Sequence, residues 1–245
     1  MSIIKATQIT TKFGNKVIHD GVNFHVDEAE IYGLLGGSGT GKSTLMKTMI
    51  YLKEPSGGYI KMLGEDLWAA NEDKRQEIRL KCGVMFQFGA LYTSMNVLEN
   101  IYILLKEYSN MSEKSMKEIA MFWLEKVGLS PSAALQYPSE LSGGMKKRVA
   151  MARSLVLSPK ILFLDEPNSG LDPISARALD ELVVELRDTL GLTVVMVTHD
   201  IDSICDILDR FLILEDKKVL FEGNLTELDE LKNNPLEELF KTRKR

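Results

Sequence analysis

Long apolar runs and alternating stretches divide the chain into regions of different character. Residues 31–35, 82–86, 161–164 and 193–197 are almost uninterrupted apolar or β-branched runs. Runs of that kind suit strands buried on both faces, as in a parallel sheet. The opening is different: Ile3, Ile9, Val17, Ile18, Val22, Phe24 and Val26 stand among polar residues. With Asn15 and Gly21 as turn points, this pattern predicts short antiparallel strands. Pro55 to Gly58 marks a further turn, followed by a strand over 59–63, and 73–81 is a charged helical segment.

Between residues 88 and 138 the strand pattern stops. Val97, Ile101, Leu104 and Leu105, then Ile119, Phe122, Trp123, Leu124 and Val127, recur at helical spacing. Ser112 reads as a helix start and Gly128 as a stop. An all-helical insertion in an α/β chain is the expectation. Residues 174–190 then predict an amphipathic helix, and 211–215 with 218–222 a last strand pair turning at Asp216-Lys217. The stretch 225–240 predicts a helix, ending in the basic run Lys241, Arg243, Lys244 and Arg245.

Composition narrows the class. A 245-residue chain can bury a substantial core. Its net charge of −5 gives no basic excess, so no nucleic-acid partner is expected. Cys82 and Cys205 form neither a disulfide framework nor a metal spacing, which points to a reduced compartment. Neither a signal peptide nor an apolar span of membrane length is found, so a soluble chain is expected.

The sharpest chemical signal is Gly36-Gly37-Ser38-Gly39-Thr40-Gly41-Lys42-Ser43-Thr44, set between a predicted strand and a predicted helix. It matches the phosphate-binding pattern G-x-x-x-x-G-K-[ST] in the context that gives the pattern meaning. The backbone can turn its N–H groups toward an anion, and the following helix adds its positive end. Lys42 can then reach the β- and γ-phosphates, and Ser43 can ligate Mg²⁺.

Three further features strengthen it. The run at 161–164 ends in Asp165-Glu166. An acid at the end of such a strand can hold Mg²⁺, and a second can orient or deprotonate an attacking water. Leu141-Ser142-Gly143-Gly144-Met145 opens a helix and offers a second anion site. His199 follows the run at 193–197, at what should be the same sheet edge. Ligands in open α/β sheets bind at the carboxyl ends of the strands, so these residues are expected to converge.

With these motifs in this order, the chain resembles the ATP-binding subunits of ABC transporters over nearly its whole length. The resemblance implies a P-loop NTPase (RecA-like) core with a mainly parallel sheet, an N-terminal antiparallel β subdomain and an inserted α-helical subdomain. It implies a single ABC ATPase domain over 1–245: 1–87 and 150–224 as core, 88–149 as helical signature subdomain, 225–245 as C-terminal helix and basic tail. Lys42, Gln87, Glu166 and His199 are the implied catalytic residues. Phe13 is the implied adenine platform, with Ser142, Gly143 and Gly144 joining residues 36–44 around ATP. Ser43, Gln87 and Asp165 are the implied Mg²⁺ ligands. Ser169-Gly170-Leu171-Asp172 is the implied D-loop. Met145 and Asn168 depart from the commoner Gln and Thr but leave the anion-binding residues intact.

Phe86-Gln87-Phe88-Gly89-Ala90-Leu91-Tyr92-Thr93-Ser94-Met95-Asn96-Val97 is similar to the corresponding region of the Mla/Mce-type lipid-transport ATPases. Two anion sites for one ATP, at Lys42 and Ser142, suggest a head-to-tail homodimer, and that likeness implies a place at the cytoplasmic face of a bacterial inner membrane, peripheral through integral-membrane permease subunits. A Mce-domain substrate-binding protein and accessory subunits complete the implied machine. An importer of amino acids or other small solutes shares every motif and remains the alternative. A soluble ATPase of translation or repair is less apt, because neither a second ATPase unit nor a long coiled coil is seen.

Overall fold

The computed structural model describes residues 1–231 of the chain, and its fold is α/β, with a mixed, mainly parallel sheet, a separate antiparallel sheet and helices. Two compact units are distinguished, Met1–Ile78 with Val195–Arg245 and Arg79–Val194.

In the first unit, β1 (Ser2–Phe13) and β2 (Lys16–Asp27) pair antiparallel around a turn at Gly14-Asn15. Alternating side chains bury Ile4, Ala6, Ile9, Val22, Phe24 and Val26. Gly21 was expected to be a turn point, yet it lies inside β2, and both strands run for 12 residues. The reason is a bulge. Gln8 and Gly21 have φ of 52° and 68°, and the β1–β2 register shifts on both sides of Ile9. An extra residue bends the ladder without ending it.

Next come β3 (Ile31–Gly36), buried except at its end, and α1 (Lys42–Met49). β4 (Gly57–Met62) and β5 (Glu65–Asp66) complete an antiparallel sheet of order β2-β1-β4-β5. Gly57 and Gly58, expected in a turn, begin β4 instead. A Cβ on Gly58 would stand 2.3 Å from the Gln8 carbonyl oxygen, so the bulged strand leaves no room for one. α2 (Glu72–Leu80) leads toward the second unit.

There β6 (Cys82–Met85) precedes the helices α3 (Val97–Tyr108), α4 (Glu113–Lys126) and α5 (Gly143–Leu155). Asn96 and Ser112 cap α3 and α4, each accepting a bond from the backbone N–H three residues on. β7 (Ile161–Asp165) is wholly buried and pairs with β6 in parallel. α6 (Pro173–Leu190) follows, with Asp172 as N-cap and Gly191 at its end.

The chain re-enters the first unit within β8 (Thr193–Val197), then forms α7 (Ile201–Asp206), β9 (Arg210–Glu215), β10 (Lys218–Gly223) and α8 (Leu225–Asp229). β9 lies parallel to β3, placing Arg210 opposite Tyr32, and antiparallel to β10. Arg210 bonds Glu222, which accepts the Tyr32 hydroxyl at 3.0 Å, so the three strands share one polar cluster. The remainder of the helix expected to run to Phe240, and the basic run after it, lie outside the described residues. Among the described residues no helix is long and apolar enough to cross a membrane.

Candidate active site

The phosphate loop joins β3 to α1 in the first unit. Gly41 is the N-cap of α1, in the left-handed region at φ 103°, and provides no side-chain cap. An anion can therefore take the place a capping side chain would fill. The cradle is close-fitting. A Cβ on Gly36 would meet the Leu214 carbonyl oxygen at 2.5 Å, and one on Gly41 would meet His19 Nε2 at 2.5 Å. The Thr40 hydroxyl donates to the Gly37 carbonyl at 2.9 Å. Lys42, only 8% exposed, folds over the loop and donates to the carbonyls of Gly36 (2.9 Å) and Gly37 (2.8 Å). Its ammonium thus already hangs over the place where a phosphate would enter the loop.

His19 supports this loop from below, although the sequence reading passed over it. Its ring is fully buried, with Nδ1 2.7 Å from the Thr11 hydroxyl and Nε2 against Gly41. Burial lowers its pKa to about 4, the Gly41 backbone opposing in part, so the ring is neutral at pH 7. The available signal was a histidine on the otherwise apolar inward face of β2. Also in this unit, Phe13 is 53% exposed, with the Lys53 ammonium 5.1 Å from its ring centroid. His199 is half-buried just beyond β8, next to Asp200, the N-cap of α7.

The second unit holds the remaining predicted residues. The β6–β7 register pairs Met85 with Leu164, so the next residues along the two strands are also side by side. Accordingly Gln87 Nε2 donates to Glu166 Oε2 at 2.8 Å. Asp165 ends β7, 9% exposed. Glu166 adopts φ 49°, a left-handed conformation that costs a non-glycine residue about 1 kcal/mol or more. Something must hold it there.

Much of that hold comes from Lys147 on α5. Its ammonium donates to the carbonyls of Glu166 (3.2 Å) and Pro167 (2.6 Å), and to the carbonyl and hydroxyl (3.0 Å) of Ser169. Burial lowers the Lys147 pKa, with the Glu166 charge opposing. Beside this turn Asn168 donates to the buried Asp180 at 2.9 Å. Sequence reasoning missed Lys147 too. The clue was a lysine in register with Met151 and Leu155 on the apolar face of α5.

At the start of α5, Ser142 caps the helix by accepting from the Met145 N–H at 3.2 Å, and its side chain is exposed. A Cβ on Gly143 would meet nothing within 4 Å. The segment after Gln87 is pinned from inside. Asn100 accepts from the Tyr92 N–H and donates to the carbonyls of Tyr92, Met95 and Asn96. Arg153 donates to the carbonyls of Gly89 and Ala90. Phe88 is 87% exposed on this segment and Tyr92 51%. An open groove of about 650 Å³, lined by Leu98, Glu113, Lys114, Lys117, Glu118 and Met121, involves none of the predicted site residues.

The predicted residues thus divide between the units. Phe13, residues 36–44 and His199 belong to the first, and Gln87, Ser142, Gly143, Gly144, Asp165 and Glu166 to the second. The proposed metal donors are a hydroxyl, an amide and a carboxylate, hard oxygen ligands suited to Mg²⁺.

Known proteins resemble this chain in sequence and in fold. The sequence model of the ABC transporter family matches residues 19–169. The intermembrane phospholipid transport ATP-binding protein MlaF of Haemophilus influenzae is 37% identical over 93% of this chain and 86% of its own length. The methionine import ATP-binding protein MetN of Lactobacillus johnsonii is also 37% identical, over 92% of this chain but 65% of its own. A solved dimeric ATP-binding cassette in a post-hydrolysis state, bound to ADP and Pi, superposes with a TM-score of 0.83. It is 30% identical, and the match covers 91% of this chain and 98% of that one. This chain belongs to the ABC transporter family, as an ATP-binding subunit that hydrolyses ATP.

Proposed function

We propose that the chain powers phospholipid transport between bacterial membranes, working as a homodimer around two ATP molecules. The observation that carries this reading is the likeness to MlaF, which spans 93% of this chain and 86% of that protein. The segment from Phe86 to Val97 supports it, being the stretch whose pattern singled out lipid-transport ATPases. On this reading the whole chain is one ABC ATPase domain, with residues 88–149 as its signature subdomain. It sits at the cytoplasmic face of the inner membrane beneath permease subunits, with Mce-domain and accessory proteins beyond. Exposed Phe88 and Tyr92, on a segment fixed by Asn100 and Arg153, offer the permease an apolar contact.

The chemistry falls to named side chains. Phe13 stacks on adenine. Lys42 gives up its contacts with the Gly36 and Gly37 carbonyls and turns its charge to the β- and γ-phosphates. Ser142, Gly143 and Gly144 of the opposite protomer close over the γ-phosphate at the start of α5. Glu166 accepts the proton of the attacking water, with its carboxylate oriented by Gln87. His199 donates to the γ-phosphate. Mg²⁺, held by Ser43, Asp165 and Gln87, would neutralise charge developing on the phosphates.

A second reading, import of an amino acid, draws on the likeness to MetN. Purifying the chain with its permease in nanodiscs and measuring ATPase stimulation separates the two. Stimulation by phospholipid and not by methionine is expected. Stimulation by methionine alone sinks the lipid reading.

A further inference from the structure

Glu166 is held by its side chain through Gln87, but its backbone conformation is set from elsewhere. Lys147 reaches into the turn that follows β7 and meets four oxygens there, all uncharged. An ammonium has three protons, so every donor is used and one is shared. Three of the acceptors are carbonyls of Glu166, Pro167 and Ser169, spanning the turn from the strained residue into the predicted D-loop. Burying a charge among neutral dipoles is costly unless the geometry is closely satisfied. Leu171 adds to the same junction: a Cβ on Gly144 would touch its Cδ2 at 3.4 Å.

Lys147 stands five positions after Ser142, roughly 7 Å along the helix axis. One rigid helix therefore carries an anion-binding start and the clamp on Glu166. We infer that Lys147 is a positioning residue for hydrolysis, tying the Glu166–Ser169 backbone to α5 so that phosphate contact at Ser142 and the aim of Glu166 change together. This inference rests on reading Glu166 as the residue that handles the attacking water.

The test uses the full chain with Lys147→Met, Lys147→Gln and Lys147→Arg, each also combined with Glu166→Gln. Melting temperature, ATP affinity, KM and kcat are measured for each. Lys147→Met removes all donors, and kcat should fall by about 10- to 100-fold, the usual cost of a misplaced catalytic group, with KM nearly unchanged. Lys147→Gln restores two N–H donors and Lys147→Arg restores the charge, so both should recover part of the rate. In the Glu166→Gln background the same substitutions should change the residual single-turnover rate by less than about twofold, since they act through Glu166.

Should Lys147→Met fail to fold, Lys147→Gln replaces it in the same comparison. A kcat for Lys147→Met within twofold of the unsubstituted chain overturns the inference. So does a loss that persists in full in the Glu166→Gln background, or one that tracks melting temperature across the series. If Glu166→Gln alone keeps full kcat, the reading of Glu166 itself is what has failed.

Discussion

Two turns at the ends of strands, the phosphate loop after β3 and the Glu166 turn after β7, are shaped by different means. The phosphate loop is organised largely from within: Thr40 and Lys42 bond the carbonyls of Gly36 and Gly37, at most six positions away. The Glu166 turn is held from a distance. Gln87 stands 79 positions earlier, and Lys147 reaches it across 19 to 22 positions. A loop built from one contiguous string takes its internal bonds from its own residues, although His19 and Leu214 pack closely against it. One assembled from remote side chains works only when β6, α5 and β7 have all come together, and it can therefore respond to what α5 touches.

The contrast can be broken most forcefully at Glu166. Glu166→Gln keeps the shape of the turn but removes the base, so kcat should fall by about 10²- to 10⁴-fold with ATP affinity nearly unchanged. Steady-state hydrolysis and a nucleotide titration report the two quantities separately. An equal loss of affinity would erase the distinction between the turns.

His19 tests how firmly the phosphate loop is seated. Its pKa in the folded chain, about 4, lies below the ordinary 6.5, so the unfolded chain binds the proton more readily. Its contribution to stability is complete above pH 6.5 and is lost as pH falls toward 4, by about 3 kcal/mol in all. Urea unfolding across that range should show the fall, and His19→Gln should flatten it. An unchanged slope would mean that the ring is not desolvated beneath Gly41.

Lys42→Ala comes next. Loss of a charge-assisted contact should weaken ATP binding by about 10- to 100-fold, with turnover falling as well. Gln87→Leu should have the smallest effect, lowering kcat about tenfold through a freer Glu166 carboxylate while sparing affinity. Isothermal titration and initial rates on the two variants show whether binding and chemistry divide between the turns in this way.

The sequence revealed the first turn far better than the second. The string from Gly36 to Thr44 carries its own chemistry, and the buried runs around β3, β7 and β8 announced their strands by the absence of polar positions. Gly21 misled, because a glycine that permits a bulge cannot be told from one that permits a turn until the partner strand and Gln8 are in place. Lys147 and His19 were overlooked for a related reason. A lone polar residue on an apolar face has meaning only through its partners, and those lie in other elements. Helix starts at Ser112 and Ser142 were legible because a cap is a local contact.

On the proposed function, the phosphate loop of one protomer and the Ser142 end of α5 from another complete a single ATP site. Multi-angle light scattering of the Glu166→Gln chain, with saturating ATP and Mg²⁺ and then with ADP, addresses it directly. A dimer in ATP that returns to monomer in ADP is the predicted result. A chain that binds ATP and stays monomeric, both alone and with its permease, would contradict it.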